Sequence, residues 1–169
     1  MAEEIINRVA NNKNLITFDL EEYYPNGERV LFDIKDWLFE GFMLREKDFR
    51  KYVSDHDWSQ YQNKYVALSC STDAIIPAWA YLLLTSSLMP FAKKVAVGSL
   101  ENLEIILYTG IINALDVSEY QDKLLIIKGC SNKPVPENAY IELIQKLQPV
   151  AKSIMYGEAC SSVPLFKRK

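Results

Sequence analysis

The feature that most constrains this chain is an alternation in its second half. Short apolar runs, each stopped by glycine or cysteine, alternate with longer stretches of helical character. Tyr65-Val66-Ala67-Leu68-Ser69, Lys94-Val95-Ala96-Val97 and Leu124-Leu125-Ile126-Ile127-Lys128 read as strands, and Ser153-Ile154-Met155-Tyr156 as a weaker fourth. Between them, Ala74–Leu88, Ser99 to about Leu115, and Pro136 to about Leu147 have the length and apolar spacing of helices. Continuous apolar strands separated by helices specify a parallel sheet covered on both faces. The crossovers in such a sheet are right-handed. The expected fold is therefore α/β: a small, mostly parallel sheet of three to four strands with helices on both faces.

The first 63 residues are more polar. Glu3–Ala10 reads as a short helix, Leu15–Leu20 and Arg29–Ile34 as strands, and Leu44–Val53 as a helix. Tyr24-Pro25-Asn26-Gly27 is a strong turn signal and suggests that the two strands form a β-hairpin. The expected organisation is an N-terminal hairpin and helical extension, residues 1–63, packed on an α/β core, residues 64–169. Together they would make one compact domain. No internal repeat at solenoid periods is visible, and no low-complexity tract.

Composition narrows the function classes. The chain has 169 residues, of which 49% are hydrophobic and 24% charged, with a formal net charge of −3. That is enough apolar material for a real core, and it excludes disorder over most of the length. An acidic balance argues against nucleic-acid binding and against polybasic docking to a membrane. Ala74–Ala92 is uncharged and about as long as a bilayer span, but Pro77, Pro90, Thr85, Ser86 and Ser87 interrupt it. A buried helix explains it better. Met1-Ala2-Glu3-Glu4 lacks the basic start of a signal peptide, so the expected location is the cytoplasm.

The chemistry lies in three cysteines. Cys70 and Cys130 each follow a predicted strand closely, and Cys160 lies just past the weaker one. In a parallel sheet these strand ends face one way and form the crevice where α/β proteins bind ligands. Each cysteine is followed by serine, which offers hydroxyl or N–H donors beside a thiolate. A helix starting after Asp73 would also favour the Cys70 thiolate through its positive end. Three convergent thiolates would hold zinc or an iron–sulfur cluster and leave one coordination position open. His56, flanked by Asp55 and Asp57, and Asp73 are the candidates for that position. The neighbouring carboxylates would raise the His56 pKa and orient it as ligand or base. Each has a plainer alternative: His56 as a solvated loop histidine, and Asp73 as a helix N-cap. The cysteines too have alternatives, one reactive thiol at Cys70 or simple packing as small hydrophobes. Gly98-Ser99 lacks a dinucleotide or P-loop fingerprint, and no Gly-x-Ser-x-Gly elbow occurs.

Several segments carry a resemblance: Lys64–Cys70, Ile127–Cys130 with Lys133–Glu137, Met155–Ser161 with Val163-Pro164-Leu165, Arg29–Lys35 and His56-Asp57-Trp58. On these, nearly the whole chain resembles the uncharacterised bacterial domain-of-unknown-function family numbered 2480. No activity is established for it. The resemblance implies an accessory role in sulfur handling or iron–sulfur cluster assembly, with cluster-assembly proteins as partners. It also implies that Cys70, Cys130 and Cys160 match the family's cysteine-bearing segments.

The leading expectation is a metal- or iron–sulfur-binding accessory protein using Cys70, Cys130 and Cys160. The first alternative is a thiol enzyme with Cys70 as nucleophile or persulfide carrier. The second is a non-catalytic interaction domain with buried, inert cysteines.

Overall fold

A computed structural model describes residues 14–129, 132–158 and 160–169. In chain order the elements are β1 (Leu15–Phe18), β2 (Arg29–Asp33), α1 (Glu46–Asp55), β3 (Tyr65–Ser69), α2 (Ala78–Leu88), β4 (Lys94–Val97), α3 (Leu100–Ala114), β5 (Leu124–Ile127), α4 (Glu137–Leu147), β6 (Ser153–Glu158) and β7 (Ser161–Lys167). They fall into two compact units. One comprises Pro25–Leu107, and the other combines Met1–Tyr24 with Tyr108–Lys169.

The Pro25–Leu107 unit holds a three-stranded sheet in the order β2-β3-β4, all parallel. Alternation along β3 sends its side chains to both faces. Val66 and Leu68 pack with Phe32, Phe49, Leu84 and Leu88 on one side. Ala67 packs with Ala96 and Leu103 on the other. Both faces are buried, which explains the continuous apolar run of β3.

The second unit holds a four-stranded sheet in the order β1-β5-β6-β7. Its first three strands are parallel, and β7 lies antiparallel to β6. Phe18, Leu20, Tyr108, Leu125, Ile127, Leu143, Leu147 and Ile154 form its core.

The two units follow one plan. Pro77, Ala80, Tyr81, Leu84, Leu88, Pro90, Ala92, Lys93 and Gly98 recur 59 positions later as Pro136, Ala139, Tyr140, Leu143, Leu147, Pro149, Ala151, Lys152 and Gly157. The backbone repeats as well. Asn63 and Asp122 both hold left-handed backbone, at φ 60° and 58°. Asn63 N–H donates to Phe91 O and Asp122 N–H to Val150 O, both at 2.9 Å. Lys93 N–H donates to Lys64 O and Lys152 N–H to Lys123 O, both at 2.8 Å. The leading strands match at a different spacing. Just after β1, Asp19 accepts from Glu21 N–H at 2.9 Å, and at the last residue of β2, Asp33 accepts from Lys35 N–H at 3.0 Å. Such concordance of sequence, torsions and hydrogen bonds marks an internal duplication.

Three expectations are corrected. The strands form two sheets of three and four strands rather than a single sheet. The hairpin around Asn26-Gly27 does not form, because β1 pairs in parallel with β5, and β2 with β3. The turn signal is real, but the apolar faces of both strands are buried by later partners. The helix expected from Ala74 starts at Ala78, with Pro77 as its extended N-cap, so Asp73 caps nothing there. Proline disfavours helical backbone in the residue before it, which keeps Ile76 out of the helix. The expected helix Glu3–Ala10 lies outside the described residues.

Other elements match their expectations closely. Ser99 caps α3, its hydroxyl accepting from Asn102 N–H at 3.1 Å while Asn102 Oδ1 accepts from Ser99 N–H at 3.0 Å. No helix among the described residues is long and apolar enough to cross a membrane.

Candidate functional site

Each unit presents the carboxyl ends of parallel strands, the place where sheets of this type bind ligands. In the Pro25–Leu107 unit this edge holds Asp33 at the end of β2, Cys70 after β3 and Gly98 after β4. Asp33 Oδ1 accepts from Ser71 N–H at 3.1 Å, tying the end of β2 to the turn that follows β3. Burial alone would raise the Asp33 carboxyl, but hydrogen bonds from Ser71 and Lys35 outweigh it and hold the group below its ordinary value.

Cys70 is half-buried against the core of this unit. Its sulfur lies 3.3 Å from Thr72 Oγ1. Tyr81 of α2 is near enough that burial, and then the charge of Cys70, push its phenol above the ordinary value. The helix-end stabilisation expected for a Cys70 thiolate loses its premise, since α2 begins only at Ala78.

His56 lies in the same unit but serves another purpose. Its ring is enclosed by Phe32, Trp37, Trp58 and Tyr61, with ring centroids 4.7–5.8 Å away. Nε2 is 2.9 Å from Tyr61 Oη and 3.1 Å from Gln60 Nε2. Neutral His56 accepts there, so Nε2 is already engaged. Burial lowers the His56 pKa and outweighs the opposing pull of Asp57, the reverse of the sequence expectation. Asp73 is exposed and borders an open apolar cleft with Phe42, Met43, Leu44, Ala74, Ile75 and Pro77.

In the other unit the strand ends are more strongly charged. Lys128 Nζ pairs with Asp19 Oδ2 at 2.8 Å. That bond and the Asp19 charge raise the Lys128 pKa, with Glu21 and Glu158 adding to it. Glu21 accepts from Asn132 N–H at 2.9 Å. Tyr156 Oη donates to Gly129 O at 3.3 Å. Cys160 is exposed between β6 and β7. Cys130 lies outside the described residues.

The expected site residues thus divide. Cys70, His56 and Asp73 belong to the Pro25–Leu107 unit, and Cys160 to the other. Among the described residues no three His, Cys, Asp or Glu side chains come together to hold a metal ion. Sequence reading passed over Asp33, Lys128 and Tyr81. The signal was there in the twice-used Phe-Asp step, Phe18-Asp19 and Phe32-Asp33, that closes β1 and β2.

Fold and site together define a duplicated α/β protein with mainly parallel sheets and cysteines at or near strand ends. The sequence profile of the family described as "Protein of unknown function (DUF2480)" matches residues 3–168, and the chain belongs to that family. No curated protein and no solved structure matches the chain.

Proposed function

We propose that this protein is an accessory factor that handles a thiophilic metal or an iron–sulfur cluster, with Cys130 and Cys160 as its exchange thiols. The observation that carries the reading is strand order. β5 and β6 are parallel neighbours, with Ile127 opposite Tyr156. In sequence, Cys130 follows Gly129 just beyond β5, and Cys160 follows β6 by two residues. Two thiols that follow neighbouring strands in sequence suit a soft metal, since strand spacing of about 4.8 Å is close to the separation of two thiolates on one ion. The exposure of Cys160 suits transfer rather than permanent storage.

Anaerobically purified protein, assayed for metals, acid-labile sulfide and visible absorption, tests this. Stoichiometric zinc or iron that is lost in both Cys130→Ser and Cys160→Ser supports it. Full metal retention in either variant, or no metal after reconstitution, overturns it.

A second reading has its own observation. The Thr72 hydroxyl 3.3 Å from Cys70 Sγ can donate to a thiolate, as a nucleophile or persulfide carrier requires. Alkylation of Cys70 faster than a free cysteine near neutral pH, slowed by Thr72→Val, supports it. Slow alkylation unaffected by Thr72→Val removes it.

A further inference from the structure

The turn before β2 holds the chain's only Asn-Gly step, Asn26-Gly27. Three successive carbonyls of that turn are gripped by cations. Arg29 Nη1 donates to Pro25 O and to Gly27 O, both at 2.6 Å, and Lys93 Nζ donates to Asn26 O at 3.0 Å. The fold accounts for the glycine. Gly27 stands at φ 143°, and a Cβ there would lie 2.8 Å from Tyr65 Cε2. The fold does not account for the asparagine. Asn26 is exposed and is not in left-handed backbone, and its side-chain amide makes no hydrogen bond among the described residues. The Gly27 N–H is likewise unbonded there.

We infer that Asn26-Gly27 is a self-modification site, where the Gly27 amide nitrogen attacks the Asn26 side chain and converts it to isoaspartate or aspartate. Hydroxide from the solvent removes the unbonded Gly27 N–H proton, and the nitrogen forms a bond to Asn26 Cγ. With no side chain on Gly27, little crowds this approach. The Cγ–Nδ2 bond then breaks, and Nδ2 takes a proton from water and leaves as ammonia. A five-membered imide remains, and a water molecule opens it at one of its two carbonyls. Breaking the bond from nitrogen to Cγ gives aspartate. Breaking the bond from nitrogen to the main-chain carbonyl carbon gives isoaspartate. One water is consumed and one ammonia released, and nothing is oxidised or reduced.

Lys93 ties this chemistry to this fold. Asn26 O and Gly27 N belong to one resonant peptide unit. An ammonium on the oxygen draws electron density from the nitrogen and stabilises the anion that attacks. In the isoaspartate product the same oxygen belongs to a carboxylate, so the Lys93 hydrogen bond becomes an ion pair. The product's main chain also gains one carbon between the two carbonyls that Arg29 holds. The modification thus loosens the grip of Arg29 on the turn while strengthening that of Lys93.

Peptide mapping by mass spectrometry of the full chain, kept in neutral buffer at physiological temperature, tests the inference. Ammonia is expected to be exchanged for water at Asn26, giving isoaspartate and aspartate together, at a rate that rises with pH. Lys93→Met is expected to slow the reaction about fivefold, and Lys93→Arg to restore it. If circular dichroism shows that Lys93→Met unfolds the chain, Lys93→Gln replaces it and must give the same slowing. An Asn26 that stays intact, aspartate formed without isoaspartate, a rate unmoved by loss of the Lys93 charge, or a Lys93→Arg chain as slow as Lys93→Met overturns the inference.

Discussion

Arg29, at the start of β2, and Glu104, on α3, form a nearly buried ion pair. Arg29 Nε lies 2.5 Å and Nη2 3.2 Å from the two carboxylate oxygens. The side chains are only 12% and 10% exposed. Arg29 Nη1 also donates to Pro25 O and Gly27 O, so the guanidinium fastens the turn before β2 to the helix. Removing one member of such a pair strands a charge in a poorly solvated place.

Glu104→Ala should therefore destabilise the Pro25–Leu107 unit by about 3 to 5 kcal/mol. Replacing both partners together, Arg29→Met with Glu104→Leu, should cost much less than Glu104→Ala. Urea unfolding of the two variants checks the order. A Glu104→Ala midpoint equal to wild type contradicts it.

His56 makes stability depend on pH in a stated direction. Burial lowers its folded pKa below the ordinary 6.5, so the folded state favours the neutral ring, which is hydrogen-bonded to Tyr61 Oη at 2.9 Å. Above 6.5 the ring is neutral in both states and this contribution is fully present. As pH falls through 6.5 toward the folded value, the unfolded chain takes up protons first, and stability declines. His56→Gln should flatten the melting-temperature profile over that window. A wild-type profile that rises on mild acidification contradicts the assignment.

Asn63 and Asp122 hold matched left-handed conformations, and asparagine and aspartate adopt that region more readily than most residues. A β-branched residue there should cost about 1 to 2 kcal/mol, and glycine should be tolerated. Asn63→Val is therefore expected to lower the urea midpoint, and Asn63→Gly to leave it near wild type. Asp122→Gly is the less tolerant of the two glycine changes, because Asp122 also pairs with Arg168 at 2.6 Å.

The apolar strands were legible because burial on both faces leaves a continuous run. β3 and β4 follow the expected boundaries, and β5 falls one residue short at Ile127. Pairing was less legible. The Asn26-Gly27 turn predicts a hairpin locally, yet the partner of β1 lies more than a hundred residues away. β7 escaped notice because Pro164 and two serines disguise it, and a register shift opposite Ile154 and Met155 accommodates the irregular strand. The duplication was hidden by its spacing: 59 positions exceeds a solenoid period, and the leading strands recur only 14 apart, as Leu15 and Arg29. The cysteines were found as residues, but their grouping depended on strand order. Strand order puts β3 in one sheet and β5 with β6 in the other.

The split of one unit across both ends of the chain has a consequence for biosynthesis. All three strands of the Pro25–Leu107 sheet have been made by Val97. β1 is the first of the described strands to be translated, yet its neighbour β5 begins only at Leu124. On the ribosome the inner unit can close while Leu15-Ile16-Thr17-Phe18 still lacks a mate. Among the described strands it is thus the one that waits longest for its partner, an unpaired apolar edge open to mispairing while synthesis continues.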